Sequence, residues 1–198
     1  MVIVIVYHAD VHKHLHPGMT IDVSLNWPDS HGMQFLKRSI CRSAFPHGIS
    51  CFGSRVLTMP NNKDQFDGQT AELMAELVRV NNYPNYPSRL TVLFASRSVD
   101  EVRKWIPIIA GDGATVPVYA IECNIVYIAD AQKLDFPDTL PYKPEDYPAS
   151  MIRFLHDYWR SVHLWELKDQ AIELPNAPFY EKEELLVPLP ARVLYQVE

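Results

Sequence analysis

The 198-residue sequence lacks several features that would decide its class at once. No apolar run approaches the roughly 20 residues of a membrane-spanning helix, and the opening Met1-Val-Ile-Val-Ile-Val-Tyr7 is about half that length. With Tyr7-His8-Ala9-Asp10 a poor processing site, the run reads as neither a transmembrane helix nor a signal peptide, and a cytoplasmic location is the default. Cysteine is scarce: Cys41, Cys51 and Cys123 form no CxxC pair and leave an odd count, which argues for reduced, mostly buried thiols rather than a disulfide framework. There are only 7 glycines against 16 prolines. Gly111-Asp-Gly113 is too short for a phosphate loop and leads into a strand, so neither a Walker loop nor a dinucleotide fingerprint is present. No GxSxG nucleophile elbow, internal repeat or low-complexity tract occurs. Positive charge is not in excess either. The formal net charge of −6 gives no general attraction to polyanions, and Lys37, Arg38, Arg42, Arg55 and Lys63 read as a solvated helix face and loop.

What is present is an ordinary globular composition, 47% hydrophobic and 21% charged. Length and pattern fit a single domain over 1–198 with a helical insertion at about 30–82. The β-branched opening run reads as a strand buried on both faces, with His8 held at its end. His16 to Val23 follows as a turn and then a short strand. Helical spacing appears in Gly32 to Ala44 and again from Ala71, where Leu73, Met74, Leu77 and Val78 form the apolar face and Glu72, Glu76 and Arg79 flank it. Ile49 to Met59 reads as short strand or loop. Leu90 to Ala95 is a strand, and Val99 to Ile109 a helix capped by Ser98 and ended early by Pro107. Val116 to Cys123 and Ile125 to Ala129 are strands, 135–148 a proline-studded loop, Ala149 to Arg160 a helix and Ala171 to Leu174 a strand. The tail is strand, Pro-bracketed turn, strand. Helices inserted in blocks among the strands point to α+β.

From residue types alone, His8, His12, His14 and His16 could face one metal ion across an extended segment, although no carboxylate or cysteine pattern completes a site. Cys123 with His8 as base would make a thiol nucleophile.

A third constellation is ordered along the chain. Val6-Tyr7-His8-Ala9-Asp10 with Leu15-His-Pro-Gly-Met-Thr-Ile21 resembles the "YHGT…L.PGD.I" opening of the ADP-ribosyltransferase superfamily, in its histidine-bearing branch of rifampin-modifying and poly(ADP-ribose) polymerase-like enzymes. Leu93-Phe-Ala-Ser96-Arg97-Ser98 is similar to the second motif, "YFA" in the histidine branch and "STS" in the arginine branch. Val118-Tyr-Ala-Ile-Glu-Cys123 looks like the following strand. The Glu-rich turn into Leu185-Leu-Val-Pro188 resembles the "ExE…LLP" end of the arginine branch.

The resemblance implies a split, mixed or antiparallel sheet with helical insertions, and NAD as substrate. His8 would hydrogen-bond the adenosine ribose, with Tyr7 and Ser98 beside it in the dinucleotide clamp. Phe94 or Tyr119 would stack on nicotinamide, and Ser96 would support the catalytic carboxylate. Ungapped alignment makes that carboxylate Glu184; a shift of one gives Glu181-Lys-Glu183, Glu166 between tryptophan and strand is a rival, and Asp130 a third position. Two departures stand out. Leu93 occupies the family's tyrosine position, for which Phe94, Tyr83 or Tyr86 could stand in, and Arg97 occupies the middle of the Ser-Thr-Ser motif. The implied activity is mono-ADP-ribosylation of a macromolecular acceptor, protein or nucleic acid, by a toxin or defence effector that could have a neutralising partner protein. The alternatives are a non-catalytic binding module on an α+β fold, or a metal- or thiol-dependent hydrolase. No membrane partner is implied.

Overall fold

The structure, a computed structural model, describes residues 4–25, 43–58, 68–134, 147–166 and 180–197. In chain order the elements are β1 (Val4–Ala9), β2 (Thr20–Ile21), α1 (Cys51–Thr58), α2 (Gly68–Asn82), β3 (Val92–Ala95), α3 (Val99–Ala110), β4 (Val118–Cys123), β5 (Ile125–Asp130), α4 (Tyr147–Ser161), β6 (His163–Glu166), β7 (Glu183–Pro188) and β8 (Ala191–Gln196). The class is α+β. The expected strand at 171–174 and most of the expected helix at 32–44 lie outside the described residues. The chain divides into two compact units, one formed by Met1–Asp22, Leu93–Asp130 and His163–Glu198, the other by Val23–Val92 and Ala131–Val162. The expected insertion at 30–82 falls inside the second unit, which also takes in Ala131–Val162.

The first unit contains two four-stranded sheets, ordered β1-β4-β8-β2 and β3-β7-β5-β6. The pairings β1 with β4, β4 with β8, β2 with β8, β5 with β6 and β5 with β7 are antiparallel. The sheets meet at one seam, where Tyr7 and Ser96 exchange both backbone hydrogen bonds, at 2.9 and 2.8 Å. Their apolar faces share one core: Val4 and Val6 of β1, Ile121 and Cys123 of β4 and Val193 of β8 gather with Ala95, Val126, Ile128, Leu185 and Val187 of the other sheet. Side chains alternate along a strand, so the opposite face of β1 carries Ile5, Tyr7 and Ala9. Ala9 and Tyr7 pack with Val102 and Ile106 of α3, but Ile5 is 44% exposed. The expectation that β1 is buried on both faces therefore holds only for the end covered by α3.

Helix α3 begins as its sequence demands. The Ser98 hydroxyl accepts from the Glu101 N–H at 3.3 Å, while the Glu101 carboxylate accepts from the Arg97 N–H at 3.0 Å. The first bond satisfies one donor left over at the helix start, and the second ties the residue before the cap to the first turn. Pro107 does not end the helix early: it sits in the last turn, and α3 continues to Ala110, where the Gly111 N–H closes on the Pro107 carbonyl at 3.0 Å. A proline so near the end removes a single intrahelical bond and leaves the remaining turn intact.

In the second unit, the stretch expected as strand or loop bridges to Ser24 at Ile49 and is helical over Cys51–Thr58. Ser50 caps it, its hydroxyl accepting from the Gly53 N–H at 3.1 Å and donating to the Leu90 carbonyl at 3.1 Å. A Cβ at Gly53 would lie 2.2 Å from that carbonyl oxygen, so the close approach requires glycine. Helix α2 is also turned relative to expectation. Ala75, Glu76 and Val78 are buried, whereas Leu77 is 64% exposed. The buried side carries charge because each charge is gripped: Arg89 forks onto Glu72 at 2.7 and 2.8 Å, and Arg79 onto Glu76 at 3.0 and 2.7 Å. Buried ions persist when paired and hydrogen-bonded in this way.

Helix α4 starts at Tyr147, two residues before the expected Ala149, with Pro148 in the first turn where no intrahelical N–H is needed. No described helix is long and apolar enough to cross a membrane.

Candidate functional site

Chemistry-bearing side chains collect in the first unit where β1, β3 and β7 end or begin. His8 lies on the Val4–Val6 face of β1, at the rim of the shared core. Its Nδ1–H donates to the Phe94 carbonyl at 2.7 Å. A carbonyl can only accept, so the tautomer is fixed and Nε2 is left as the acceptor nitrogen. Burial pushes the imidazole below its ordinary value, while the Phe94 bond and Asp10 oppose that and His12 adds to it. A neutral ring presenting a lone pair suits a hydroxyl ligand.

The loop after β1 is tied twice at Leu15. The buried Asp10 carboxylate accepts from the Leu15 N–H at 2.7 Å, and the Tyr119 hydroxyl donates to the Leu15 carbonyl at 2.8 Å. Tyr119 stands opposite His8 in the β1–β4 register, but its ring belongs to the core and is 6% exposed. Of the two aromatic candidates, Phe94 is half-buried on β3 at the seam, whereas Tyr119 holds the loop. Tyr83 and Tyr86, which could replace the family tyrosine, belong to the second unit and stack against Trp159 there.

Ser96 is buried at the seam through its backbone bridge to Tyr7, and Ser98 caps α3. Between them Arg97 reaches β7. Its Nε donates to Glu183 Oε1 and its Nη2 to Oε2, a two-pronged charge-assisted grip. The Glu183 carbonyl accepts from the Trp105 indole N–H at 3.2 Å. Directly across β5–β7, Asp130 pairs with Glu183 and Ala129 with Glu184. Cross-strand partners share a face, so the Asp130 and Glu183 side chains project together and Glu184 projects to the other side. Burial pushes the Glu183 carboxyl above its ordinary value, Arg97 counters through hydrogen bonds and charge, and Glu101 adds to the rise. Tyr180 is raised by burial and by the charges of Asp130 and Glu183.

The expected site residues therefore divide. Tyr7, His8, Phe94, Ser96 and Ser98 come together around the seam. Glu184 is buried opposite Ala129, on the face away from Glu183. The Glu166 backbone pairs with Ile125 at the end of β6, but its side chain lies outside the described residues. Glu101, Trp105 and Tyr180 carry no site role in the sequence reading, and Arg97 only a motif position. Glu183 lies on the strand face of Leu185 and Val187, which line the core.

The thiol-nucleophile alternative is corrected. Val4 pairs with Cys123 and His8 with Tyr119, so Cys123 and His8 sit at opposite ends of the β1–β4 ladder, roughly 13 Å apart along it. Burial also pushes the Cys123 thiol up to about 12. Among the described residues no group of three or more His, Cys, Asp or Glu side chains is placed to hold a metal ion. His12 and His14 stack on each other at the surface, with ring centres 5.8 Å apart.

A family model described as a protein of unknown function, DUF2441, matches residues 6–166. No curated protein matches the chain.

Proposed function

We propose that this chain, which belongs to the DUF2441 family, is an NAD-dependent mono-ADP-ribosyltransferase acting on a macromolecular acceptor. The observation that carries the reading is the convergence at the seam: His8 bonded to Phe94, Tyr7 bridged to Ser96, and Arg97 gripping Glu183. These are the strand ends that carry the ADP-ribosyltransferase-like motifs, brought together in one unit.

The chemistry follows from the groups present. When nicotinamide leaves ribose C1′ it takes the C–N bonding pair and departs neutral, and positive charge develops on the ribose as in glycoside cleavage. A preorganised carboxylate beside that ribose stabilises the developing charge. Glu183 fills this role best, because it shares a face with Asp130 and lies beside the Ser96–Arg97–Ser98 turn. The acceptor then forms its bond to C1′ and gives up one proton to a base. His8 Nε2 accepts from a ribose hydroxyl, and the Phe94 ring supplies a stacking surface for nicotinamide.

Incubation with NAD labelled in its adenylate half, together with cell extract, tests the reading. Label should become covalently attached to protein, RNA or DNA with the native chain and not with Glu183→Gln. Capture of a partner with no attached label favours a binding module instead.

A further inference from the structure

We propose that Arg97 is a positioning residue that fixes the plane of the Glu183 carboxylate and leaves the lone pairs outside its grip to face the reacting ribose. The proposal rests on the transferase reading of Glu183.

Both ends of the grip are anchored by backbone. Ser96, the residue before Arg97, is locked to Tyr7 by two hydrogen bonds of 2.9 and 2.8 Å. The Arg97 N–H is held by the Glu101 carboxylate at 3.0 Å, and the next residue, Ser98, caps α3. On the other side the Glu183 carbonyl accepts from Trp105 of the same helix at 3.2 Å, and Glu183 pairs in register with Asp130. One helix therefore ties down both partners, and the side-chain fork spans two points that cannot drift apart freely. A carboxylate offers about four lone-pair directions, of which the fork uses two. Lysine could supply the charge, but its point-like ammonium cannot fix a plane.

Among the described residues, the charged and titratable groups around Glu183 include Arg97 from the end of β3, Glu101 from α3, Asp130 from β5 and Tyr180 from the segment entering β7. Arg97 is the one among these that favours the ionised carboxylate. Without it, burial and the neighbouring acids leave Glu183 protonated to higher pH.

The test is nicotinamide release from NAD by the full chain, with kcat and KM followed against pH for the native protein, Arg97→Gln and Arg97→Lys. Thermal unfolding checks that each variant is folded, and Arg97→Lys carries the test if Arg97→Gln is not. Arg97→Gln should lower kcat about 10²-fold with KM for NAD within about 3-fold, the scale set by misplacing a reacting group. Its acid limb should move to higher pH. Arg97→Lys should return the acid limb toward its native position while kcat stays at least about 10-fold low, because charge returns without the fork. An unmoved acid limb with near-native kcat in Arg97→Gln overturns the proposal, as does full recovery of kcat in Arg97→Lys. Release by the native chain with either of those results defeats the positioning role alone; no release by the native chain defeats the transferase reading beneath it.

Discussion

Arg89 grips Glu72 in the second unit with the same two-pronged geometry that Arg97 uses on Glu183 in the first, yet the surroundings differ in kind. Arg89 also donates to the Tyr158 hydroxyl at 2.7 Å and lies over that ring, with 5.2 Å from guanidinium carbon to ring centre. Its pair stands amid aromatic bulk, with Trp159 edge-on to Tyr158. Glu183 instead faces further acids, with Glu101 and Asp130 nearby. The Arg89 pair ties α2 to the segment before β3 and, through Tyr158, to α4, whereas burial and a neighbouring acid favour the protonated Glu183 carboxyl and Arg97 opposes them.

Removing each arginine should separate the two roles most strongly. Arg89→Met leaves the half-buried Glu72 and the buried Tyr158 hydroxyl without the guanidinium and should lower unfolding stability by about 3–5 kcal/mol in urea titration. Arg97→Gln should lower it by less, about 1–3 kcal/mol, since its side chain is more exposed than that of Arg89, 19% against 6%. Equal losses would erase the distinction.

Removing the carboxylates sharpens the comparison from the other side. Glu183→Gln should reduce nicotinamide release about 10²- to 10³-fold, whereas Glu72→Gln should act on stability and leave the rate per folded molecule unchanged. Smaller effects test the scaffold. Tyr119→Phe, which loses the Leu15 tie, should cost about 1 kcal/mol of stability and leave kcat unaltered if Phe94 is the stacking ring.

The pH dependence of stability has opposite signs at His8 and Glu183. The His8 value is depressed on folding, so its contribution is present above the unfolded value and fades as pH falls through that value toward the folded one. The Glu183 value is raised, so its contribution is present below the unfolded value and is lost as pH rises through the folded one. Unfolding free energies of His8→Gln and Glu183→Gln, each subtracted from the native curve across pH 3–8, should therefore slope in opposite directions.

Much of the sheet was legible because β-branched runs and turn residues punctuate it: β1, β4, β5 and the β7–β8 tail stand close to where the pattern put them, while β3 begins at Val92, after a 3-10 turn over Arg89–Thr91, rather than at Leu90. The face of α2 was not, because Glu72 and Glu76 look like solvent residues until Arg89, Ser88 and Arg79 are brought to them. Helix α1 was missed because its start depends on Ser50 reaching Leu90, forty residues away. Tyr7, His8, Phe94 and Ser96 stood out along the chain as strand-end residues, and the His8–Phe94 bond and the Tyr7–Ser96 bridge bring them together. The choice between Glu183 and Glu184 was not, since Leu185-Leu186-Val187 is apolar without alternation and assigns no face. Only the pairing with Asp130 and Ala129 does so.

The most direct measurement is release of free nicotinamide from nicotinamide-labelled NAD by the purified full chain, its Glu183→Gln variant and its Glu184→Gln variant. The account predicts slow release by the native chain, loss of release in Glu183→Gln and retention in Glu184→Gln. No release and no binding at millimolar NAD, or a Glu183→Gln variant as active as the native chain, would contradict it.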